Sequence, residues 1–162
     1  MKTTHTLIIA LLFNIVAVSA KAEGPLHVTA PPDWSVKYDD SKGIQFYSAK
    51  KTGAKNLVLM FSRWPASNDP KQIPVFIDQM GKAFAEQAKN TPELKGIDTT
   101  YTVEPLKGDS FSGSMIRFKF QEGIQTMFMI SNGDGIWNGQ YTGPESDWKD
   151  ALKILTTLKI QG

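Results

Sequence analysis

Two segments of the chain are almost continuously apolar, and they constrain the fold more than any other feature. Leu57–Phe61 reads LVLMF and Thr126–Ile130 reads TMFMI. Successive side chains of a strand point to opposite faces of its sheet, so a strand without a polar face needs cover on both sides. The two segments therefore predict central strands of a sheet that is enclosed between two layers.

Two amphipathic helices are predicted to provide that cover. Apolar side chains recur at three- and four-residue spacing from Pro74 to Asn90, and again in a closing segment that begins at Trp148. This spacing is typical of helices with one apolar face. Residues 69–72 are assigned to a turn before the first helix, because Pro74 belongs in a first turn rather than in a helix interior. The apolar stripe of the closing helix is Trp148, Ala151, Leu152, Leu155 and Leu158.

Shorter alternating segments predict the remaining strands. They are separated by polar or glycine-containing turns, and they cover residues 26–30, 35–38, 44–49, 99–104, 115–120 and 136–142. The order of elements is four strands, a helix, four strands and a helix. We therefore expect an α+β fold, specifically an α/β/α sandwich with a mainly antiparallel sheet of about six to eight strands covered by two helices.

The first 22 residues are predicted to be a secretory signal peptide rather than part of the domain. A positive start at Lys2 is followed by the apolar run Leu7–Val18 and by small residues that suit cleavage after Ala20 or Ala22. The apolar run is shorter than the about 20 residues that a membrane-spanning helix needs. The sequence predicts one domain over residues 23–162, secreted or periplasmic, with no stable membrane anchor after cleavage.

Charge and cysteine content exclude several classes of function. Removing Lys2 and Lys21 leaves 16 basic side chains against 16 acidic ones. A domain without net charge exerts no long-range electrostatic attraction on nucleic acid or on an anionic membrane, so we expect neither as a partner. The chain has no cysteine, which removes thiolate catalysis and cysteine metal sites.

Catalytic and metal-binding groups are sparse. His5 leaves with the signal peptide, so His27 is the histidine that remains for general base chemistry or zinc. Because His27 lies in the first predicted strand, we interpret it as an ordinary residue of an edge strand rather than as a catalytic base. Calcium is left open at Asp39-Asp40 and at Asn132–Gly135, although turns explain both clusters. No catalytic residue, metal or cofactor is assigned, and the chain is predicted not to be an enzyme.

Aromatic residues and one arginine are the candidate binding residues. Arg63-Trp64-Pro65 ends a predicted strand, and other aromatic side chains lie beside strand ends or turns. Arginine and aromatic residues are favoured anchors of protein interfaces. The predicted binding residues are Arg63, Trp64, Trp34, Trp137 and Tyr141. Packing at the ends of the core is the alternative for the tryptophans.

The turn Pro31-Pro32-Asp33-Trp34 and the closing helix pattern from Trp148 to Ile160 resemble the PsbP/Mog1-like group of small domains. Asp33 stands where that group often has glycine. The resemblance implies accessory, chaperone, binding or toxin-neutralising roles rather than catalysis, and it assigns no site residues.

Three functions remain open at this point. The first is a non-enzymatic binding or accessory protein outside the cytoplasm, with a protein as partner. The second is an immunity protein that binds and neutralises a periplasmic toxin enzyme. The third is a hydrolase that uses a pair of carboxylates, although no pair in the sequence stands out.

Overall fold

The computed structural model describes residues 26–40, 45–54, 58–63, 69–94, 96–120, 123–131, 135–156 and 159–160. The predicted signal peptide lies outside these ranges. Within them the chain forms nine strands and two longer helices. The strands are β1 (Leu26–His27), β2 (Trp34–Asp39), β3 (Phe46–Lys51), β4 (Val58–Arg63), β5 (Glu104–Lys107), β6 (Ser112–Phe120), β7 (Gly123–Ser131), β8 (Ile136–Gly143) and β9 (Lys159–Ile160). The helices are α1 (Ile73–Asn90) and α2 (Trp148–Thr156).

Seven strands form one antiparallel sheet in the order β2-β3-β4-β8-β7-β6-β5. The central strand is β8, and its two neighbours are β4 and β7. Strand β7 contains the apolar segment Thr126–Ile130, and β4 contains residues 58–61 of the other apolar segment, whose Leu57 lies outside the described residues. Their predicted place in the middle of an enclosed sheet is confirmed.

One helix covers each face of the sheet. Helix α1 packs over β6 and β7, where Ile77 and Phe84 meet Ile116 and Phe118 in one apolar cluster. We call this side the α1 face. Helix α2 packs on the opposite side, the α2 face, where it joins a larger cluster that extends across the sheet from β2 to β5. The predicted α+β sandwich with a mainly antiparallel sheet and two covering helices is confirmed.

The α2 face closes tightly around a glycine in the central strand. A Cβ atom at Gly139 would clash with the Phe128 ring and would lie 2.7 Å from Phe61 Cβ. Both rings are completely or almost completely buried. Because glycine has no side chain, the two neighbouring phenylalanine side chains can occupy this space.

The start of each helix is fixed by polar contacts. The Asp69 carboxylate accepts a hydrogen bond from the Lys71 N–H at 3.0 Å and caps the 3₁₀ turn Pro70–Gln72, as the predicted turn before α1 requires. Ahead of α2, Asp147 accepts a hydrogen bond from Lys51 Nζ at 2.6 Å. This hydrogen bond raises the pKa of Lys51. It joins the end of β3 to the start of the helix.

The predicted strand over residues 99–104 is wrong. Asp98 forms an isolated bridge with Lys119, and the strand itself begins only at Glu104. Tyr101 explains the difference, because its hydroxyl lies 3.0 Å from the Asp78 carbonyl and 3.1 Å from the Asp78 carboxylate. These bonds hold the segment against α1 and away from the sheet.

The two ends of the described chain also differ from the expectation. Leu26 pairs with Ile160 and His27 with Lys159, so β1 and β9 form a small separate ladder. The first strand is shorter than the predicted 26–30, and Ile160 belongs to a strand rather than to the extension of the closing helix. Strand pairing of this kind depends on contacts between distant residues, which local periodicity does not encode.

Candidate functional site

The ends of β4 and β8 form the most promising functional site, which we call the Arg63 end of the sheet. Arg63 is opposite Trp137 in the β4–β8 ladder, and the backbone N–H of Arg63 donates a hydrogen bond to the Gln45 carbonyl at 3.0 Å. A Cβ atom at Gly135 would lie 3.1 Å from Arg63 Nε. The half-buried Arg63 side chain therefore packs closely against Gly135, where a larger residue would crowd it.

Five neighbouring strands begin or end here. β2, β4 and β7 end at this side of the sheet, whereas β3 and β8 begin at it. The segments 41–44 and 132–134 join these strands in the sequence, segment 64–68 follows β4, and all three lie outside the described residues. Loops beside a rigid sheet are common positions for binding residues.

Below Arg63, four aromatic rings pack against each other on the α2 face. Tyr47 is at the centre of this aromatic cluster, with its ring 4.9 Å from Phe61, 4.8 Å from Tyr38 and 5.7 Å from Trp137. The planes of the Tyr47 and Phe61 rings are stacked at an angle of 8°. The Trp137 ring makes an edge-to-face contact with both of them. Such contacts stabilise a fixed arrangement, so Arg63 extends from a rigid base.

Polar groups of Tyr38 and Gln45 adjoin this base. Burial raises the pKa of Tyr38, and the charge of Asp40 raises it further, although the Gln45 side chain partly opposes the shift. The Tyr38 hydroxyl is therefore protonated at neutral pH. Gln45 Oε1 is buried without a hydrogen-bond partner among the described residues. The Arg63 end thus combines guanidinium donors, a neutral hydroxyl and an amide acceptor.

The structure describes four of the five predicted binding residues and does not bring all four together. It brings Arg63 and Trp137 together, and Trp64 lies outside the described residues. Trp34 lies at the opposite end of the sheet, paired with Lys51, and is only 6% exposed. Tyr141 is fully buried, and its hydroxyl donates to the Pro144 carbonyl at 2.7 Å.

The three described aromatic side chains among these residues all belong to the core of the α2 face. Packing is the role that their positions show, and their predicted role as interface anchors stays a prediction. Sequence reasoning missed Tyr38, Gln45 and Gly135. The alternation of Trp34, Val36 and Tyr38 along β2 was the available signal for Tyr38, because it places these side chains on one face.

The α1 face contains a second region of interest, a strip of four buried polar side chains beside α1. We call it the amide strip, and its members are Ser62, Gln125, Asn138 and Gln140. Ser62 Oγ donates to Asn138 Oδ1 at 3.0 Å, and Gln125 Nε2 donates to Gln140 Oε1 at 3.3 Å. Gln125 Oε1 is buried without a partner within the described ranges.

Catalytic and metal-binding candidates gain no geometric support from the described part of the chain. His27 lies in the small β1–β9 ladder, opposite Lys159. No group of three or more histidine, aspartate or glutamate residues within the described ranges has a metal-binding arrangement. The calcium candidate at Asn132–Gly135 lies largely outside the described residues. Among the described helices, none is both long and apolar enough to cross a membrane.

Neither a scan of protein-family models nor a search of curated proteins finds a match to this chain.

Proposed function

We propose that this chain is a non-enzymatic accessory protein that acts outside the cytoplasm and binds a partner protein through the Arg63 end. One observation carries the proposal: a half-buried arginine lies beside Gly135, where the ends of five strands meet above the aromatic cluster. The predicted signal peptide supports the location.

The rigidity of this end supports binding because it lowers the entropy lost when a complex forms. The Arg63 backbone is constrained on one side by the ladder to Trp137 and on the other by its hydrogen bond to the Gln45 carbonyl. An interface anchor on a backbone that is already ordered loses less conformational freedom on binding. Arginine is also among the residues that contribute most to measured interface energies.

The mixture of groups at this end favours a protein over a simple ion. Arg63 supplies donors, Tyr38 supplies a neutral hydroxyl, and Asp39 and Asp40 supply negative charge close to that hydroxyl. A protein surface presents donors, acceptors and both signs of charge together, as a small anion does not. The predicted toxin-neutralising role is one case of this binding mode, with a toxic enzyme as the partner.

Affinity capture with matched variants tests the proposal. The full chain with a C-terminal tag is expressed in cells that secrete it, and the captured proteins are compared for wild type, Arg63→Ala and Lys50→Ala. Lys50 is exposed and lies at the other end of the same sheet, so its substitution removes one positive charge far from Arg63. The captured proteins are identified by mass spectrometry.

We expect one stoichiometric partner with wild type and with Lys50→Ala, and its loss with Arg63→Ala. The Kd is then measured with the purified chain and the purified partner. We expect Arg63→Ala to increase this Kd by at least tenfold, since an interface anchor contributes about 2 kcal/mol or more. Equal capture by all three proteins, or turnover of a substrate by the purified chain, would contradict the proposal.

A further inference from the structure

No described strand pairs with the outer edge of β2, so this edge is open for strand pairing as far as the described residues extend. On its inner side, the Asp33 carbonyl accepts a hydrogen bond from the Thr52 N–H at 2.7 Å. Backbone groups along a strand alternate between the two neighbouring positions. Every second residue after Asp33 therefore also directs its N–H and C=O toward β3, and these residues are Ser35, Lys37 and Asp39.

The intervening residues, Val36 and Tyr38, direct their backbone groups away from β3. β2 is the last strand on this side of the sheet, and within the described ranges no other backbone group bonds to Val36 or Tyr38. Unpaired N–H and C=O groups in a row are a template for another extended strand. This edge therefore offers hydrogen bonds to a partner strand.

The opposite edge of the sheet is blocked by a proline. The Gly108 N–H donates to the Phe111 carbonyl at 3.1 Å, so Leu106 also faces β6 and Pro105 faces outward. Proline has no N–H to donate, and it is a common means of preventing edge pairing. The contrast between β5 and β2 indicates that only the β5 edge is protected in this way.

Among the three registers centred on Val36, Lys37 and Tyr38, the charges favour one arrangement of two antiparallel copies. When Val36 faces its own copy, Asp39 is opposite Asp33, and when Lys37 is at the centre, two lysines face each other. When Tyr38 faces its own copy, Lys37 is opposite Asp39 in both directions. Opposite charges directly across an antiparallel pair stabilise it, whereas like charges destabilise it.

We propose that a second copy of this chain binds the outer edge of β2, in an antiparallel register centred on Tyr38. The resulting dimer has a continuous sheet through both copies, with backbone hydrogen bonds from Val36 and Tyr38 and ion pairs between Lys37 and Asp39. A two-fold axis relates the copies, as in most homodimers. The proposal shares Tyr38 and Asp39 with the Arg63 end, but it is tested by the formation of a dimer and not by the capture of a partner protein.

A proline substitution tests the backbone hydrogen bonds. Val36→Pro removes an N–H that points outward and leaves the β2–β3 ladder intact, while Val36→Thr keeps the N–H and the branched shape. Sedimentation equilibrium of the secreted chain across a wide concentration range gives the dimer dissociation constant. We expect a dimer for wild type and Val36→Thr, and a monomer with an unchanged circular dichroism spectrum for Val36→Pro.

A charge exchange tests the register without altering the backbone. Lys37→Asp and Asp39→Lys each place like charges opposite each other, so each is expected to weaken the dimer by about tenfold. The double variant Lys37→Asp/Asp39→Lys restores opposite charges, and its dissociation constant is expected to return toward the wild-type value.

Three results would overturn the proposal. The first is a wild-type chain that remains monomeric at every concentration, which would leave the edge to a strand from another protein. The second is a dimer that persists in Val36→Pro. The third is a double charge variant as weak as the single ones.

Discussion

The two faces of the sheet achieve their burial in different ways. The α2 face is apolar across its centre, where aromatic and aliphatic side chains from β2 to β7 join those of α2. On the α1 face, the helix covers apolar side chains of β6 and β7, while the amide strip occupies the neighbouring part of the sheet. Apolar packing needs no specific partners, whereas each buried amide needs a hydrogen bond.

This difference shows which substitutions the fold tolerates. Loss of volume on the α2 face creates a cavity, because close-packed neighbours relax only partly. Removal of one partner in the amide strip instead leaves the other without its hydrogen bond, although removal of both partners eliminates the problem. The four predictions below test this contrast from the largest expected effect to the smallest.

Phe61→Ala on the α2 face is expected to destabilise the protein by about 3–5 kcal/mol. The ring is 1% exposed and stacks on Tyr47, so its removal leaves a cavity in the aromatic cluster. Urea unfolding followed by tryptophan fluorescence measures the change. Val75→Ala is the control, because Val75 is 49% exposed on α1 and its truncation should cost less than about 0.5 kcal/mol. Similar losses for both variants would contradict a close-packed α2 face.

Gln140→Leu in the amide strip is expected to destabilise the protein by about 1–3 kcal/mol, because both polar atoms of the Gln125 amide then lack a partner. The double variant Gln125→Leu/Gln140→Leu removes both amides and should recover most of this loss. A double-mutant cycle of urea unfolding measures the coupling. Additive losses at the two positions would show that the amides do not depend on each other.

Thr126→Val is expected to stabilise the protein by about 1 kcal/mol. Thr126 is fully buried on the α2 face, and its hydroxyl has no partner among the described residues. Valine keeps the branched shape and replaces the hydroxyl with a methyl group. Thermal unfolding measures the effect as an increase in Tm. A decrease would indicate that the Thr126 hydroxyl is hydrogen-bonded in the folded protein.

Asp78→Asn is expected to have the smallest effect, and one that depends on pH. The hydrogen bond from Lys82, followed by that from Tyr101, lowers the pKa of Asp78 in the folded protein. The charged carboxylate therefore stabilises the fold above its unfolded pKa of about 3.9, and this contribution is lost as the pH falls through the folded pKa.

The Tm of wild type should exceed that of Asp78→Asn at neutral pH, and the difference should disappear in strong acid. Asp109→Asn, at an exposed position outside the helices and strands, is the matched control for the loss of one carboxylate. A difference that grows as the pH falls would have the wrong sign for a carboxylate with a lowered pKa.

The sequence predicted the layers of the fold because apolar periodicity is a local signal. The segments at Leu57–Phe61 and Thr126–Ile130 placed β4 and β7 correctly, and the helical spacing identified α1. The strand prediction for residues 99–104 was wrong because their β-branched pattern suits a strand. A hydrogen bond from Tyr101 to the distant Asp78 holds this segment against α1 instead. Long-range bonds of this kind leave no trace in local periodicity.

The candidate site was predicted only in part for a similar reason. Arg63 and Trp137 were selected by residue type, and strand pairing then placed them together. The positions of Trp34 and Tyr141 depend on strand order, which single-sequence periodicity does not specify. Gln45 has no distinctive local pattern, and the turn pattern that contains Gly135 does not point to Arg63. Only the register of β3, β4 and β8 brings the two residues to Arg63.

Native-state hydrogen exchange compares the two faces most directly. The nine residues of α2 contribute Trp148, Ala151, Ile154 and Leu155 to the larger cluster, while α1 covers the smaller one. We predict that the slowest amides of α2 exchange only through global unfolding, and that those of α1 exchange through a partial opening of lower free energy. Amides of α1 that are as protected as those of α2, or more so, would contradict the unequal faces on which this account rests.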